Sequence, residues 1–293
     1  MATQLAAIPA AASAGSAGTR CLRLRTRTLD LSRPCVMGIL NRTPDSFADG
    51  GRFVELSAAL ARAEAMLEAG AAVIDVGGES TRPGAAPVPA AEELRRVVPV
   101  IEALVHRFDC VVSVDTTKPE VMRAACQVGA EWINDINALR APGALQAAAD
   151  SGAAVCLMHM QGEPRTMQVA PHYTDVVAEV RRFLAQRVEA CTGAGIEHGR
   201  LCLDPGFGFG KCLPHNLSLL SHLSQLRVAG LPLLVGLSRK SMLGELTGRA
   251  VGERLAAGIA AAVLAVGHGA EVVRTHDVAE TVDALKVVVA AGM

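Results

Sequence analysis

Between Cys35 and Ala290 a short apolar run gives way to a helix-period stretch eight times in succession. No other feature of the chain restricts its fold so tightly. The apolar runs predict strands at Cys35–Asn41, Ala72–Val76, Val111–Val114, Trp132–Ile136, Ala154–Met158, Leu201–Asp204, Leu231–Leu237 and Glu271–Arg274. Apolar residues at helical spacing, as at Leu60, Ala63, Met66 and Leu67, predict helices over Leu56–Ala69, Ala91–His106, Pro119–Val128, Gly143–Asp150, Thr174–Ala194, Asn216–Leu226, Glu253–Val266 and Ala279–Ala290. Such alternation requires a parallel sheet, since each helix returns the chain to the edge where the next strand starts. Eight units within 293 residues predict an α/β fold, a closed (β/α)8 TIM barrel forming a single domain over 21–293. A dinucleotide-binding sheet is not supported: Gly206-Phe207-Gly208-Phe209-Gly210 follows the sixth strand, not the first, with no clean helix start behind it.

Residues 1–20 are rich in Ala, Ser and Gly, which predicts a disordered tail; no long apolar segment follows a basic one, so a signal peptide is not expected. Cys21–Leu31 alternates Leu with Arg and Thr and reads as a strand or hairpin sealing the bottom of the barrel. A net charge of −1 and 3% aromatic residues argue against a nucleic-acid binder. The eight cysteines lack any C-x-x-C pair and several sit in apolar runs, the pattern of reduced thiols in a cytoplasmic protein. Leu255–Val266 is too short to span a membrane and reads as a buried barrel helix.

Barrels of this kind bind ligands at the C-terminal ends of their strands. Those ends here carry Asn41, Asp75, Thr81, Arg82, Asp115, Asn134, Asp204, Lys240, Arg274 and His276. Short hydrogen-bonding groups (Asp115, Asn134, Asp204) suit the edges of a planar nitrogen heterocycle, and Arg82, Lys240, Arg274 and His276 suit a phosphate or pyrophosphate. Asp204 begins the Asp204-Pro205-Gly206 break, where a turn or cap aspartate is an equal reading when it is taken alone. Lys240 follows Arg239 at a strand end, which argues against a desolvated Schiff-base lysine. His159, between two methionines, reads as a packed core histidine, and Glu79 and Asp135 read as supports for the side chains around them.

From Val36 onward the chain closely resembles bacterial dihydropteroate synthases. The resemblance rests on Met37-Gly38-Ile39-Leu40-Asn41 with Thr43-Pro44-Asp45-Ser46-Phe47, on Asp75-Val76-Gly77-Gly78-Glu79-Ser80-Thr81-Arg82-Pro83-Gly84, and on Ser113-Val114-Asp115-Thr116. It continues through Ile133-Asn134-Asp135-Ile136, Leu157-Met158-His159-Met160-Gln161-Gly162 and Asp204-Pro205-Gly206-Phe207-Gly208-Phe209-Gly210-Lys211. It ends with Gly236-Leu237-Ser238-Arg239-Lys240-Ser241 and Arg274-Thr275-His276-Asp277-Val278.

The resemblance implies a transferase of folate biosynthesis that joins (7,8-dihydropterin-6-yl)methyl diphosphate to 4-aminobenzoate, with Mg2+ as cofactor and a homodimeric assembly through the last helices; the family it resembles is the target of sulfonamides, which mimic aminobenzoate. It implies that Asp115, Asn134, Asp204 and Lys240 hold the pterin, and that Arg274, His276 and Asn41 face the diphosphate, with Asn41 as the Mg2+ contact. Thr81, Arg82 and Thr275 complete the pterin-diphosphate site, and Phe47, Pro83, Ser241 and the Lys240 stem wall the aminobenzoate pocket. The loops 42–51 and 80–87 are expected to act as lids. Arg42 departs from the family pattern; it either reaches the diphosphate or is a solvated loop residue. Two other functions compete: a methyltetrahydrofolate-dependent methyltransferase barrel and a non-catalytic homologue. The Mg2+ requirement, the lids and the Ser238–Ser241 wall weigh against the first, and Asn41, Arg82, Lys240, Arg274 and His276 weigh against the second.

Overall fold

The computed structural model describes residues 20–41, 52–80 and 84–292, with the backbone alone at 52–54. A short antiparallel hairpin, β1 (Cys21–Arg23) on β2 (Thr28–Asp30), precedes eight parallel strands: β3 (Cys35–Asn41), β4 (Val73–Gly77), β5 (Val111–Asp115), β6 (Trp132–Asp135), β7 (Ala154–Met158), β8 (Leu201–Asp204), β9 (Leu234–Gly236) and β10 (Val272–Thr275). Their order, β8-β7-β6-β5-β4-β3-β10-β9, closes through a bridge between Leu203 and Leu233, where the Leu203 N–H donates to the Pro232 carbonyl at 2.9 Å. Closure leaves no open edge on the eight-stranded sheet among the described residues, and the expected (β/α)8 barrel is what forms.

The strands alternate with α1 (Arg52–Glu68), α2 (Ala90–Arg107), α3 (Pro119–Gln127), α4 (Ala144–Ser151), α5 (Val176–Gly193), α6 (Leu213–Ser221), α7 (Ser241–Thr247), α8 (Leu255–Gly267) and α9 (Val278–Ala290). Two departures from the sequence reading concern the sixth and seventh units. Helix α6 starts immediately after Cys212, since Pro214 is tolerated in a first turn, and a separate 3-10 turn at Leu223–Leu226 takes the end of the expected helix. Helix α7, only seven residues long, opens directly behind Lys240 and was not expected, because it is too short for a helical apolar period to show.

Strand parity decides what each side chain meets. Val36, Leu40, Ile74, Val76, Val112, Val114, Ile133, Val155 and Val273 point outward into the core shared with the helices. Each such burial is worth roughly 1.5–3 kcal/mol. Met37, Val73, Val111, Trp132, Ala154, Cys156, Cys202, Leu234 and Val272 point inward and pack with Leu22, Leu24 and Leu31 from around the hairpin, which plugs the barrel bottom as expected. The plug is tied down by Glu131, whose carboxylate takes Thr26 Oγ1 at 2.8 Å and Arg27 Nε at 2.9 Å.

Further along the same inward faces the chemistry changes. Val73 is followed by Asp75, Val111 by Ser113 and Asp115, Trp132 by Asn134, Cys202 by Asp204 and Val272 by Arg274. The lower barrel is therefore an apolar plug and the upper barrel a polar floor.

Helix α8 corrects one expectation. It carries no charged residue, yet it is not a buried helix: Leu255, Ala256, Ala260 and Leu264 are exposed. No helix among the described residues is long and apolar enough to cross a membrane.

Candidate active site

Arg274 organises the polar floor. From the inward face of β10 its guanidinium crosses the barrel: Nε donates to Asp75 Oδ2 at 2.6 Å and Nη2 donates to Asp115 Oδ2 at 2.7 Å. Asn134 Nδ2 donates to the same Asp75 oxygen at 3.1 Å. Burial pushes the Asp115 carboxyl above its ordinary value and the Arg274 charge opposes that rise. Burial likewise works against the charge on Arg274, and Asp75 and Asp115 override it. Asp75, read from sequence as a strand end, is the third of five residues in β4 and is fully buried; its task is to hold Arg274 and Asn134. The sequence assigned Arg274 to the anion, whereas two of its nitrogens are engaged by carboxylates of the floor.

Asp204 ends β8 on the same floor. Burial raises its carboxyl, opposed by the Gly206 N–H, which donates to Oδ1 at 2.7 Å, and by the charges of Lys240, Lys211 and Arg274. The turn reading and the ligand reading are therefore compatible: one oxygen closes the turn, and among the described residues the other takes no hydrogen bond. Lys240 is half-buried with Nζ 4.2 Å from the centroid of the Phe209 ring. Burial pushes its ammonium down to about 8, with Asp204 pulling the other way. The sequence argument that a strand-end lysine escapes desolvation fails here; what opposes a covalent role is the engagement of the ammonium by the Phe209 face and the Asp204 charge. Phe209 belongs to a separate apolar cluster with Ile136, Met158, Met160 and Met167, a wall against which a flat ring can lie.

Above the floor a cavity of about 450 Å3 is lined by Asn41, Asp115, Lys240, Ser241, Arg274 and His276 among others. A second cavity of about 770 Å3 adjoins it and shares Glu79, Ser80 and Asp115. Both fall in the size range of small-molecule sites. The Asn41 amide oxygen lies 3.3 Å from where a Cβ on Gly77 would sit, so a side chain there would press on that oxygen. His276 is not a cation: burial, then Arg239 and Arg274, push it down to about 3, and its Nδ1 lies 3.1 Å from Ser238 Oγ. It acts as a neutral hydrogen-bonding group.

Thr275 is corrected outright. It is buried on the outward face of β10, and its Oγ1 accepts from the Asp277 N–H at 3.1 Å and from Thr281 Oγ1 at 3.3 Å, bracing the start of α9 instead of touching the cavity. Strand parity read from Val272 and Arg274 could have shown this. Phe47, Thr81, Arg82, Pro83 and Arg42 lie outside the described residues.

Of the supports around the site, Glu79 and Asp135 were read from the sequence, whereas Arg254, Lys118 and Glu93 were not. Arg254 Nη1 donates to the Arg239 and Lys240 carbonyls at 3.1 and 3.2 Å, and Arg239, at φ 61°, pairs with Asp277 at 2.5 Å; together they hold Ser238–Ser241 in place. Lys118 hydrogen-bonds both Glu79 and the buried Glu93, and Glu79 accepts from the Val88 N–H at 3.1 Å, so the base of the second loop is tied to α2 and α3. Asp135 accepts from the Asn137 and Leu139 N–H groups at 2.7 and 2.8 Å and supports the turn after β6. His159 is the packed histidine expected, edge-on to Phe183 at 4.9 Å.

A closed barrel whose mouth sets carboxylates, an amide, a guanidinium and an ammonium around an apolar wall has the makings of an enzyme site for a flat nitrogen heterocycle. The family model of pterin binding enzymes matches residues 37–276. A dihydropteroate synthase of Escherichia coli (strain K12) is 58% identical over 261 residues, covering 89% of this chain and 93% of the relative. The Yersinia pestis dihydropteroate synthase solved as a sulfonamide drug complex superposes with a TM-score of 0.89 at 55% identity, over 93% of this chain and 99% of that one. The Xanthomonas albilineans dihydropteroate synthase in complex with 7,8-dihydropteroate gives 0.85 at 52% identity, over the same 93% and 99%. The chain belongs to the dihydropteroate synthase family.

Proposed function

We propose that this enzyme condenses (7,8-dihydropterin-6-yl)methyl diphosphate with 4-aminobenzoate to give 7,8-dihydropteroate and pyrophosphate. The observation that carries the reading is the single floor on which Asp115, Asn134, Asp204 and Arg274 meet, with Lys240 above the Phe209 ring. The amidine edge of a pterin presents paired N–H donors that suit Asp204, while the apolar wall suits its face.

The methylene C–O bond to diphosphate breaks and a C–N bond to the aniline nitrogen forms; that nitrogen then gives up a proton to solvent. The electron-rich dihydropterin delocalises positive charge from the methylene, and the carboxylates of Asp115 and Asp204 favour that charge. No side-chain nucleophile is required. Positioning of the aniline falls to Ser241 and the Lys240 stem, with Phe47 and Pro83 completing the pocket. The departing diphosphate is assigned to Asn41, the neutral His276 imidazole, Thr81 and Arg82.

The Asn41 amide oxygen is a hard donor at this end, and no group of three or more His, Cys, Asp or Glu among the described residues could hold a metal. One protein oxygen fits Mg2+ that takes the rest of its shell from diphosphate and water. When bound, Mg2+ neutralises charge on the leaving group.

The test is pyrophosphate release from the purified enzyme. Release should require both aminobenzoate and Mg2+ and cease on chelation. Sustained multiple-turnover release without aminobenzoate, or an undiminished rate after chelation, would overturn the assignment.

The same reading extends to a homodimer in a reducing cytoplasm, the latter supported by eight free thiols. The apolar α8 with exposed Ala256, Ala260 and Leu264 is the face we assign to a second copy, since an uncharged helix is normally covered all round. Light scattering should report a dimer for the parent and a monomer for Leu264→Glu; a monomeric parent would refute it.

A further inference from the structure

Lys211 ends the glycine-rich loop after β8, and its side chain turns inward: the residue is 2% exposed. Its Nζ donates to the Gly206 and Phe209 carbonyls, both at 2.9 Å, and to the His159 carbonyl at 3.3 Å, and lies 2.9 Å from His159 Nδ1. These acceptors come from two segments, the end of β7 and the loop after β8. Burial pushes His159 down to about 2, so its ring is the neutral acceptor. No carboxylate lies within hydrogen-bonding reach of this ammonium among the described residues. Burial pushes it down to about 7, and the charge of Asp204 is what resists.

A sealed ammonium without a direct ion pair is costly. Stapling two loops could be done by neutral groups, so the staple alone does not explain a lysine. The position does. The carbonyls it grips belong to Gly206, whose N–H holds Asp204 Oδ1, and to Phe209, whose ring lies under Lys240. The groups facing Asp204 are Lys240 beyond β9, Arg274 on β10, the Gly206 N–H and Lys211; those facing Lys211 are Asp204, Lys240 and His159. Two of the three cations around Asp204 have other engagements: Arg274 is shared with Asp75 and Asp115, and Lys240 faces the cavity.

We propose that Lys211 is a positioning residue for pterin recognition, fixing the loop that carries Asp204 and Phe209 and supplying the buried charge that keeps Asp204 an acceptor. The proposal rests on Asp204 binding the pterin edge. An ionised Asp204 can accept both N–H donors of that edge; a protonated one cannot.

The experiment is the affinity of the purified enzyme for 6-hydroxymethylpterin, read by its fluorescence from about pH 5 to about pH 9. Lys211→Met should weaken binding about tenfold at neutral pH and move the acid limb of the binding profile upward by about one pH unit. Lys211→Gln, which keeps hydrogen-bond donors but no charge, should recover part of the affinity while its acid limb stays displaced. A uniform loss at every pH, or unchanged binding, overturns the proposal. Unchanged binding in Asp204→Asn instead overturns the assignment of Asp204 itself, so the two failures are distinct. Should neither Lys211 variant fold, 15N resonances of lysine Nζ in the unaltered pterin complex decide: an ammonium on the acid limb of the profile, where Asp204 must be kept ionised, supports the inference, and a neutral amine there refutes it.

Discussion

Arg274→Met lowers kcat/KM by about two to three orders of magnitude and costs roughly 3–5 kcal/mol of stability. One guanidinium joins Asp75 and Asp115, and its side chain is only 20% exposed. Methionine fills similar volume but leaves two carboxylates facing each other with no cation between them. Asn134 also loses order, because its partner Asp75 is no longer held. Lysine at this position recovers little, since one ammonium lacks the planar fork that meets both carboxylates.

The stability loss is pH-dependent. The folded-state carboxyl of Asp115 is already raised by burial, and removing Arg274 raises it further. Between the unfolded value near about 3.9 and the raised folded value, the folded state keeps a proton that the unfolded chain has lost. Stability from this group is therefore present at low pH and is lost as pH rises through that window. The melting temperatures of variant and parent should converge toward about pH 5 and diverge toward about pH 8. Calorimetry across that range, with initial rates, checks both parts. A variant that keeps a third of the parental rate, or a gap that widens on acidification, is incompatible with the role given to Arg274.

Gly206→Ala should cost about 3–4 kcal/mol and lower pterin affinity with it. Gly206 sits at φ +70°, and a Cβ there would lie 1.9 Å from the His159 carbonyl oxygen. That oxygen cannot retreat easily: the His159 N–H donates to the Asp204 carbonyl at 2.9 Å, and Lys211 grips the oxygen itself. Any shift that relieves the contact moves the Gly206 N–H off Asp204 Oδ1. Gly248→Ala is the control. It has the same φ of +70° at the end of α7 but nothing within 4 Å of its Cβ, so only the backbone term of about 1–2 kcal/mol applies. Equal melting temperatures for the two variants would show that the close approach at Gly206 carries no weight.

The particular residues show which parts of this protein could be read locally. Eight apolar runs separated by helical periods were enough for the barrel, and the alternation of Leu with Arg and Thr around β1 and β2 was enough for the bottom plug. Polar strand ends marked the mouth, so Asp115, Asn134, Asp204, Lys240 and His276 were found as candidates. Thr275 was misplaced because strand parity was not applied at the end of β10, although Arg274 beside it fixes the inward face. Asp75 was noticed without its role, and Arg254 and Lys211 carried no local signal for theirs: one reaches carbonyls 14 and 15 residues away and the other turns into a space formed by two loops.

What the chain determined by itself is periodic and local: the count of β/α units, the uncharged α8, the glycines of the loop after β8 and the change from apolar to polar along each inward face. What only the closed barrel decided is which charges meet. Arg274 and Asp75 lie 199 positions apart, and Lys211 and His159 lie 52 apart. Hydrophobic period is set by neighbours along one segment, whereas a hydrogen-bonded ion pair depends on distance and dielectric, both of which exist only once the strands are in register and water is gone.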